Sequence, residues 1–275
     1  MTQQTPLLND KAFGKLRDYI YERTGIQISE IKKHALENHL ARRIRENRLS
    51  NFEDYFMFLT SREESELKFL YDTVTTNETY FFREPQQLNV FTKHILPQVF
   101  SRKRVREIRV WSAACSSGEE PYTVAAILKE NEPLARAEII GSDISNTVLE
   151  MAKRGIYSSY SVRNVPPHQL RKYFRARENA YELEESIRRM VKFLNINLID
   201  EKSVRTIRNT DVIFCRNVLI YFDDKSKKKA VSLLYDALAP NGFLIVGTSE
   251  SLYNVTRAFQ PTVIDRVVLY QKAGT

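Results

Sequence analysis

The 275 residues carry a net charge of +8, with 43% hydrophobic and 28% charged side chains, the balance of a soluble globular protein of one large domain or two ordinary ones. No apolar run reaches the roughly 18 residues of a membrane-spanning helix, and the start MTQQTPLLND has neither the basic nor the apolar part of an export signal. Two cysteines, Cys115 and Cys215, exclude a disulfide framework, so a reducing cytoplasm is the expected compartment.

Residues 1–75 predict a bundle of short helices. Phe13, Leu16 and Ile20 recur at helical spacing before Gly25, a C-cap candidate. Leu36, Leu40 and Ile44 make one apolar face of a second helix. Ser50 with Glu53 and Ser61 with Glu64 read as capping boxes, each followed by an apolar stripe (Phe52, Tyr55, Phe56, Leu59; then Leu67, Leu70, Tyr71, Val74). The charge is uneven: net −1 over 1–80, +5 over 81–110 and +4 beyond. Within 32–48, Lys32, Lys33, Arg42, Arg43, Arg45 and Arg48 face only Glu37 and Glu46, a basic surface that is either a solvated helix face or a site for an acidic partner. No base-reading or base-stacking motif accompanies it, so nucleic acid is not expected.

After residue 100 strand-like and helical runs alternate: EIRVWSAA (107–114), PYTVAAILKE (121–130), AEIIGSD (137–143), SNTVLEMAKRG (145–155), MVKFLNINL (190–198), TDVIFCR (210–216), KKKAVSLLYDALA (227–239), GFLIVGT (242–248) and VIDRVVLYQK (263–272). Such alternation predicts a mostly parallel sheet with helices on both faces and ligands bound beyond the strands' C-terminal ends. Cys115 and Cys215, at the ends of the first and fourth strands, are expected to be reduced neighbours. Residues 156–189 exceed one crossover, and YFRARENAYELEESIRR within them reads as a small hairpin or a polar helix.

The turn after the first strand, Ala113 to Pro121, has small residues and Gly118 but no phosphate-loop lysine. Glu119 and Glu120 would repel a pyrophosphate and suit a cation. Asp143, 25 residues beyond Gly118 and after the second strand, can hold a ribose through two oxygens or can cap the next helix. Asn197 and Leu198 follow the third strand; Arg216, Asn217 and then Tyr221 follow the fourth. An acid for ribose, carboxylates near a cation and amide groups able to read a base point to S-adenosylmethionine (SAM). His34, His39, His94 and His168 lack metal-like spacing, and no metal is expected.

Four segments in order, TNETYFFRE (76–84), WSAACSSGEEPYT (111–123), GSDIS (141–145) and CRNVLIYFD (215–223), resemble the chemotaxis receptor methyltransferases, the CheR family; residues 25–59 resemble its helical N-terminal domain. The resemblance implies an α/β fold class: a small all-α N-terminal domain (1–75), a linker contributing to the cofactor site (76–100), and a Rossmann-like SAM-dependent methyltransferase domain (101–275) with a small inserted antiparallel β subdomain near 168–192. It implies a cytoplasmic enzyme that forms glutamate methyl esters on chemoreceptor signalling helices, leaving S-adenosylhomocysteine. By the same resemblance Asn77, Thr79, Arg83, Glu119, Asp143, Asn197, Leu198, Arg216 and Asn217 contact the cofactor, and Arg83 and Tyr221 lie near the transferred methyl. Family members that grip a receptor's C-terminal tail peptide have a glycine-containing loop in the inserted subdomain. This chain has no glycine from 156 to 241, so tight tail binding is not expected. A non-catalytic SAM-binding receptor adaptor and a methyltransferase for another protein or RNA stay open. The Asn-Pro-Pro-aromatic motif of amine-directed enzymes is absent after the fourth strand, which holds Arg-Asn-Val.

Overall fold

The computed structural model describes residues 7–61, 63–75 and 77–274, with the backbone alone at 63–65. It divides into two compact units, Met1–Thr76 with Tyr221–Ser226, and Asn77–Ile220 with Lys227–Thr275.

In the first unit α1 (Asp10–Thr24) starts where the Asn9 side chain accepts the Ala12 N–H and ends at Gly25, at φ 72°. A 3-10 turn at Glu30–Lys32 leads into α2 (Lys33–Glu46), followed by α3 (Phe52–Ser61) and α4 (Glu63–Val74). The expected stripes close one core: Phe13, Leu16, Ile20, Leu36, Leu40, Ile44, Phe52, Tyr55, Leu59 and Leu70 are all buried. Capping differs from expectation at α3. Asn51, not Ser50, caps it by accepting the Asp54 N–H at 2.8 Å, and Glu53 instead accepts from the Asn9 amide. An asparagine oxygen one residue nearer the first turn makes the same bond, so Ser50 is not needed. The Ser61/Glu64 pairing lies outside the described residues.

A charge pair lies within this core. Glu66, 1% exposed, accepts from Arg43 Nε at 2.8 Å and Nη2 at 2.7 Å, and from the Tyr55 hydroxyl at 3.0 Å. The Arg43 guanidinium also stacks over Phe69 at 4.8 Å. Burial and the Glu66 charge push the Tyr55 hydroxyl well above the usual phenol range, while hydrogen bonding to Glu66 raises Arg43. Tyr221–Ser226 belongs here through an Ile26–Phe222 bridge, a Gln27 N–H to Tyr221 carbonyl bond of 3.0 Å, and a Tyr21 hydroxyl to Asp223 bond of 2.8 Å.

The second unit begins with α5 (Pro85–Val90), a π turn (Phe91–Ile95) and α6 (Leu96–Ser101). Then come β1 (Glu107–Ala113), α7 (Glu119–Asn131), β2 (Arg136–Asp143), α8 (Asn146–Arg154), β3 (Ile156–Tyr157), α9 (Pro167–Tyr173), β4 (Phe174–Ala176), β5 (Tyr181–Leu183), α10 (Glu185–Arg188), β6 (Val191–Asn195), α11 (Glu201–Val204), β7 (Thr210–Cys215), α12 (Asp224–Ala237), β8 (Leu238–Val246), β9 (Phe259–Ile264) and β10 (Val267–Lys272). The main sheet runs β6-β2-β1-β7-β8-β10-β9. Its first five strands are parallel, and β10 and β9 are antiparallel additions. The run expected as one last strand is the second half of a hairpin. Asp265 and Arg266 turn the chain at φ 48° and 65°, the twist a two-residue hairpin turn needs, supplied here without glycine.

Residues 156–183 supply a three-stranded antiparallel sheet, β3-β5-β4, with a tight β4–β5 hairpin. Both cysteines are buried and free. Cys215 ends β7, which pairs with β1, whereas Cys115 lies two residues beyond β1, in the turn.

The buried pair in the helical unit generates a stability prediction. Replacing Glu66→Ala strands a guanidinium that is 26% exposed, so the loss should fall below the ~3–5 kcal/mol typical of a fully buried pair, at about 2–3 kcal/mol. Tyr55→Phe removes one hydrogen bond and should cost about 1 kcal/mol. Urea unfolding of the full chain measures both, and an unchanged midpoint for Glu66→Ala would show the pair to be neutral.

Candidate active site

The turn between β1 and α7 is built from unusual backbone. Ala114, Ser116 and Gly118 all have positive φ, at 63°, 49° and 92°. A Cβ on Gly118 would meet Ala152 Cβ at 2.8 Å, so glycine is required by both conformation and space. Two non-glycine residues in this region persist only when neighbours hold them. The Cys115 N–H donates to the Ser142 carbonyl at 2.8 Å, and the Ser116 N–H donates to Asp143 Oδ2 at 2.9 Å. The other Asp143 oxygen accepts the Ser145 N–H at 3.0 Å, while Ser145 caps α8 through Val148. Asp143 therefore braces two turns at once, at 6% exposure. The end of β6 is tied in as well: the Asn195 side chain donates to the carbonyls of Asp143 and Ile144, and the Ile196 N–H to that of Asp143.

Glu119 opens α7 at 2% exposure and accepts from the Ser117 hydroxyl at 2.8 Å. Burial raises its carboxyl above the ordinary glutamate range, more than the Ser117 bond lowers it. Tyr157, buried beneath the turn, donates its hydroxyl to the Ser117 carbonyl.

A second cluster surrounds Arg216. Its buried guanidinium donates to Glu120 Oε2 at 2.9 Å and to the Arg83 carbonyl at 2.7 Å, with Glu84 at 3.3 Å. Glu120 also accepts from Ser112 on β1. Asn217, at φ 59°, follows and donates its side-chain amide to Glu84. Its backbone N–H, together with those of Val218, Ile220 and Gly247, converges on the carboxylate of Glu250 at 2.8, 3.0, 3.2 and 2.6 Å. A Cβ on Gly247 would lie 2.7 Å from that carboxylate.

Residues 77–84 run beside both clusters. The Asn77 carbonyl accepts from the Ser116 hydroxyl at 3.2 Å. Thr79 is half-buried. Phe81, 1% exposed, is the anchor: it meets Tyr157 and Phe174 edge-on at 4.8 and 5.0 Å. Phe82 and Glu84 both sit at φ 56°, and the Phe82 N–H bonds to Thr123. Arg83 is half-buried and donates to the Glu78 carbonyl at 3.1 Å.

The second unit thus links Asn77 to Asp143 through Ser116, and Arg83 and Asn217 to Arg216 and Glu84, while Glu119 is bonded to Ser117. Asn197 and Leu198 follow β6, where Asn197 turns the chain by accepting the Ile199 N–H and Leu198 is buried. Tyr221 is grouped with the helical unit, and Lys32 stands over its ring at 5.4 Å. The sequence reasoning missed Glu84, Asn195 and Glu250 and did not single out Glu120 as a partner of Arg216. Glu250 had a readable signal: it lies in GTSES, just after a parallel strand, where ligand-facing residues gather.

A parallel sheet whose first turns carry acids and no phosphate-binding lysine is the site of a Rossmann-like enzyme for a cationic nucleoside cofactor. Residues 77–268 match the CheR methyltransferase SAM-binding domain, and residues 11–75 its all-alpha domain. The chain is 39% identical to chemotaxis protein methyltransferase 2 of Vibrio cholerae, over 92% of this chain and 90% of that one. It is 36% identical to the chemotaxis protein methyltransferase of Borreliella burgdorferi, over 87% of each, and 35% identical to that of Escherichia coli, over 92% and 88%. The chain belongs to the CheR methyltransferase family and is a SAM-dependent methyltransferase. Among the described residues no helix is long and apolar enough to cross a membrane, and no three His, Cys, Asp or Glu side chains cluster as metal ligands.

The four N–H groups on Glu250 generate a prediction. Glu250→Gln turns one acceptor oxygen into a donor facing them, and bonds to a charged group contribute about 1.5–3 kcal/mol. Hydrogen exchange at the Asn217 and Val218 amides should quicken about tenfold or more. Unchanged protection there would refute the bracing role.

Proposed function

We propose that this enzyme transfers the SAM methyl group to glutamate side chains on chemoreceptor signalling helices, leaving S-adenosylhomocysteine and needing no metal. The cytoplasm is the compartment where such helices are met. The observation that carries the reading is the excess of carboxylates around the turn after β1. Glu119, Glu120 and Asp143 all act electrostatically on Cys115 in that turn, and of the carboxylates near it Glu120 and Glu84 pair with the buried Arg216. That donor set fits a cofactor of net positive charge, and the Gly118 turn lets it approach backbone. Asp143, which accepts the Ser116 and Ser145 N–H groups, stands after the second strand where a ribose would be held. Asn77, Thr79, Asn197 and Leu198 complete the cofactor contacts, and Arg216 and Asn217 support them by holding the loop after β7.

When bound, SAM supplies a methyl group on an electrophilic sulfonium. The acceptor glutamate has a reference pKa near ~4.3, so it arrives ionised and no general base is required. Opposite charges are neutralised in the displacement, so the residues act by positioning the partners and excluding water. Arg83 holds the cofactor carboxylate or a single acceptor oxygen; a bidentate grip on the nucleophile would hold back its lone pairs. Tyr221 orients the acceptor by a hydrogen bond.

Receptor guidance is assigned to the basic face of α2, with unequal parts. Arg43 is held by Glu66, Arg42 pairs with Glu46, and Lys33 pairs with Asp10 at 2.5 Å. Lys32, Arg45 and Arg48 are exposed and present the remaining charge. The β4–β5 hairpin closes through a 2.8 Å bond from the Arg177 N–H to the Ala180 carbonyl, over a glycine-free loop. This supports catalysis without a tail-peptide grip.

Incubating the enzyme with labelled SAM and isolated receptor signalling domains should give methyl transfer that is released by mild alkali, with equal rates for domains with and without a C-terminal tail peptide. Alkali-stable label would point to nitrogen methylation and overturn the reading. The raised carboxyl of Glu119 sets a pH dependence. As pH falls through its elevated pKa it becomes neutral and loses its attraction for the cation, so SAM affinity should fall on acidification, starting at a higher pH than an ordinary glutamate would set. Glu119→Gln should flatten that limb in calorimetry, and a parent profile already flat would exclude Glu119 from cation binding.

A further inference from the structure

Outside the clusters just described, the second unit carries a stacked group with no role so far. The Arg163 guanidinium lies 3.6 Å from the ring centroids of both Tyr80 and Tyr160, sandwiched between them. Arg83 stands 5.7 Å from the same Tyr80 ring. Tyr160, 54% exposed, donates its hydroxyl to Glu78 Oε1 at 3.0 Å, which fixes the outer ring. Arg163 itself is exposed, and its Nη1 donates to the Tyr160 carbonyl at 2.6 Å. With rings on its two faces, the exposed guanidinium has its edge left for further partners.

This arrangement suits recognition of a carboxylate. Stacking removes the rotamer freedom an exposed arginine would otherwise lose on binding, and a planar fork matches two carboxylate oxygens. The arginines also grade outward: Arg216 is buried, Arg83 is half-buried and Arg163 is exposed, linked by the Arg216–Arg83 carbonyl bond and the shared Tyr80 ring. The outermost cation is the one available to a macromolecular acceptor rather than to an enclosed cofactor.

We propose that Arg163, clamped between Tyr80 and Tyr160, is a specificity-determining residue that binds a carboxylate of the acceptor segment other than the one being methylated. The inference rests on the receptor glutamate proposed above as acceptor. It assigns to the Tyr80–Arg163–Tyr160 stack a preference for acceptor glutamates that have a neighbouring acid.

The test uses the full-length enzyme, its Arg163→Gln and Arg163→Lys variants, and a receptor signalling domain with or without Glu→Gln changes at the acids flanking its methylated glutamate. With the acidic receptor, Arg163→Gln should raise the receptor KM about tenfold, roughly 1.4 kcal/mol, with kcat and SAM affinity unchanged. Arg163→Lys, which keeps charge but loses the planar fork, should fall between. With flanking acids removed, the parent KM should rise to that of the variant and Arg163→Gln should add nothing further. An unchanged receptor KM in Arg163→Gln, or independent effects of the enzyme and receptor changes, would overturn the proposal. So would a lowered melting temperature as the sole effect, because that is what a purely structural stack predicts. Failure of the parent to form any alkali-labile ester is a different result, and it overturns the acceptor reading itself.

Discussion

Arg216 buries its guanidinium to 7% exposure, and the strand-end loops of the second unit supply the acceptors it needs. A buried guanidinium is tolerated only where acceptors replace its lost water. Here they come from three places far apart in sequence: Glu120 at the start of α7, Glu84 before α5, and the carbonyl of Arg83. Each contact ties the end of β7 to another part of the site. Residues 77–84 are thereby drawn to the strand ends with two residues at positive φ, a strained path that needs such a partner. Glu250, in the loop after β8, completes the bracing as one carboxylate that accepts four backbone N–H groups.

The same requirement shapes the electrostatics. One buried cation among several carboxylates leaves the turn after β1 acidic, and Glu119 responds to its own burial with a raised pKa. An acidic turn is unsuited to phosphates and suited to a sulfonium cofactor, whose methyl transfer to an anion disperses charge. Little acid–base apparatus is required when both reactants arrive in their reactive ionisation states, which is why the site's notable features are braces and turns.

In the helical unit the arginines of α2 divide by environment. Arg43 turns inward onto Glu66, which also accepts from Tyr55, so the pair specifies how α2 meets α3 and α4. Its neighbours remain outside, where ion pairs such as Arg42–Glu46 contribute little to stability and leave the long-range field intact. A run of charge that reads as one surface in sequence therefore performs two tasks.

The sequence by itself determined what depends on local pattern. Helical spacing of Phe13, Leu16 and Ile20, and of Leu36, Leu40 and Ile44, identified the apolar faces that close the first core. Alternating strand and helix runs identified the parallel sheet, and four ordered segments carried the resemblance to the CheR family that the domain matches bear out. Local chemistry also misled. Ser50 was as plausible a cap as Asn51, and the Asp265–Arg266 turn had no glycine to mark it. Only the tertiary structure decided which side chains share a bond across long separations: Arg43 with Glu66, Arg216 with Glu84 and Glu120, Glu250 with the loop after β7, and Arg163 with Tyr80. Spacing reports which face of an element is apolar. The partner of a buried charge is set by where folding removes water, and no periodicity along the chain records that.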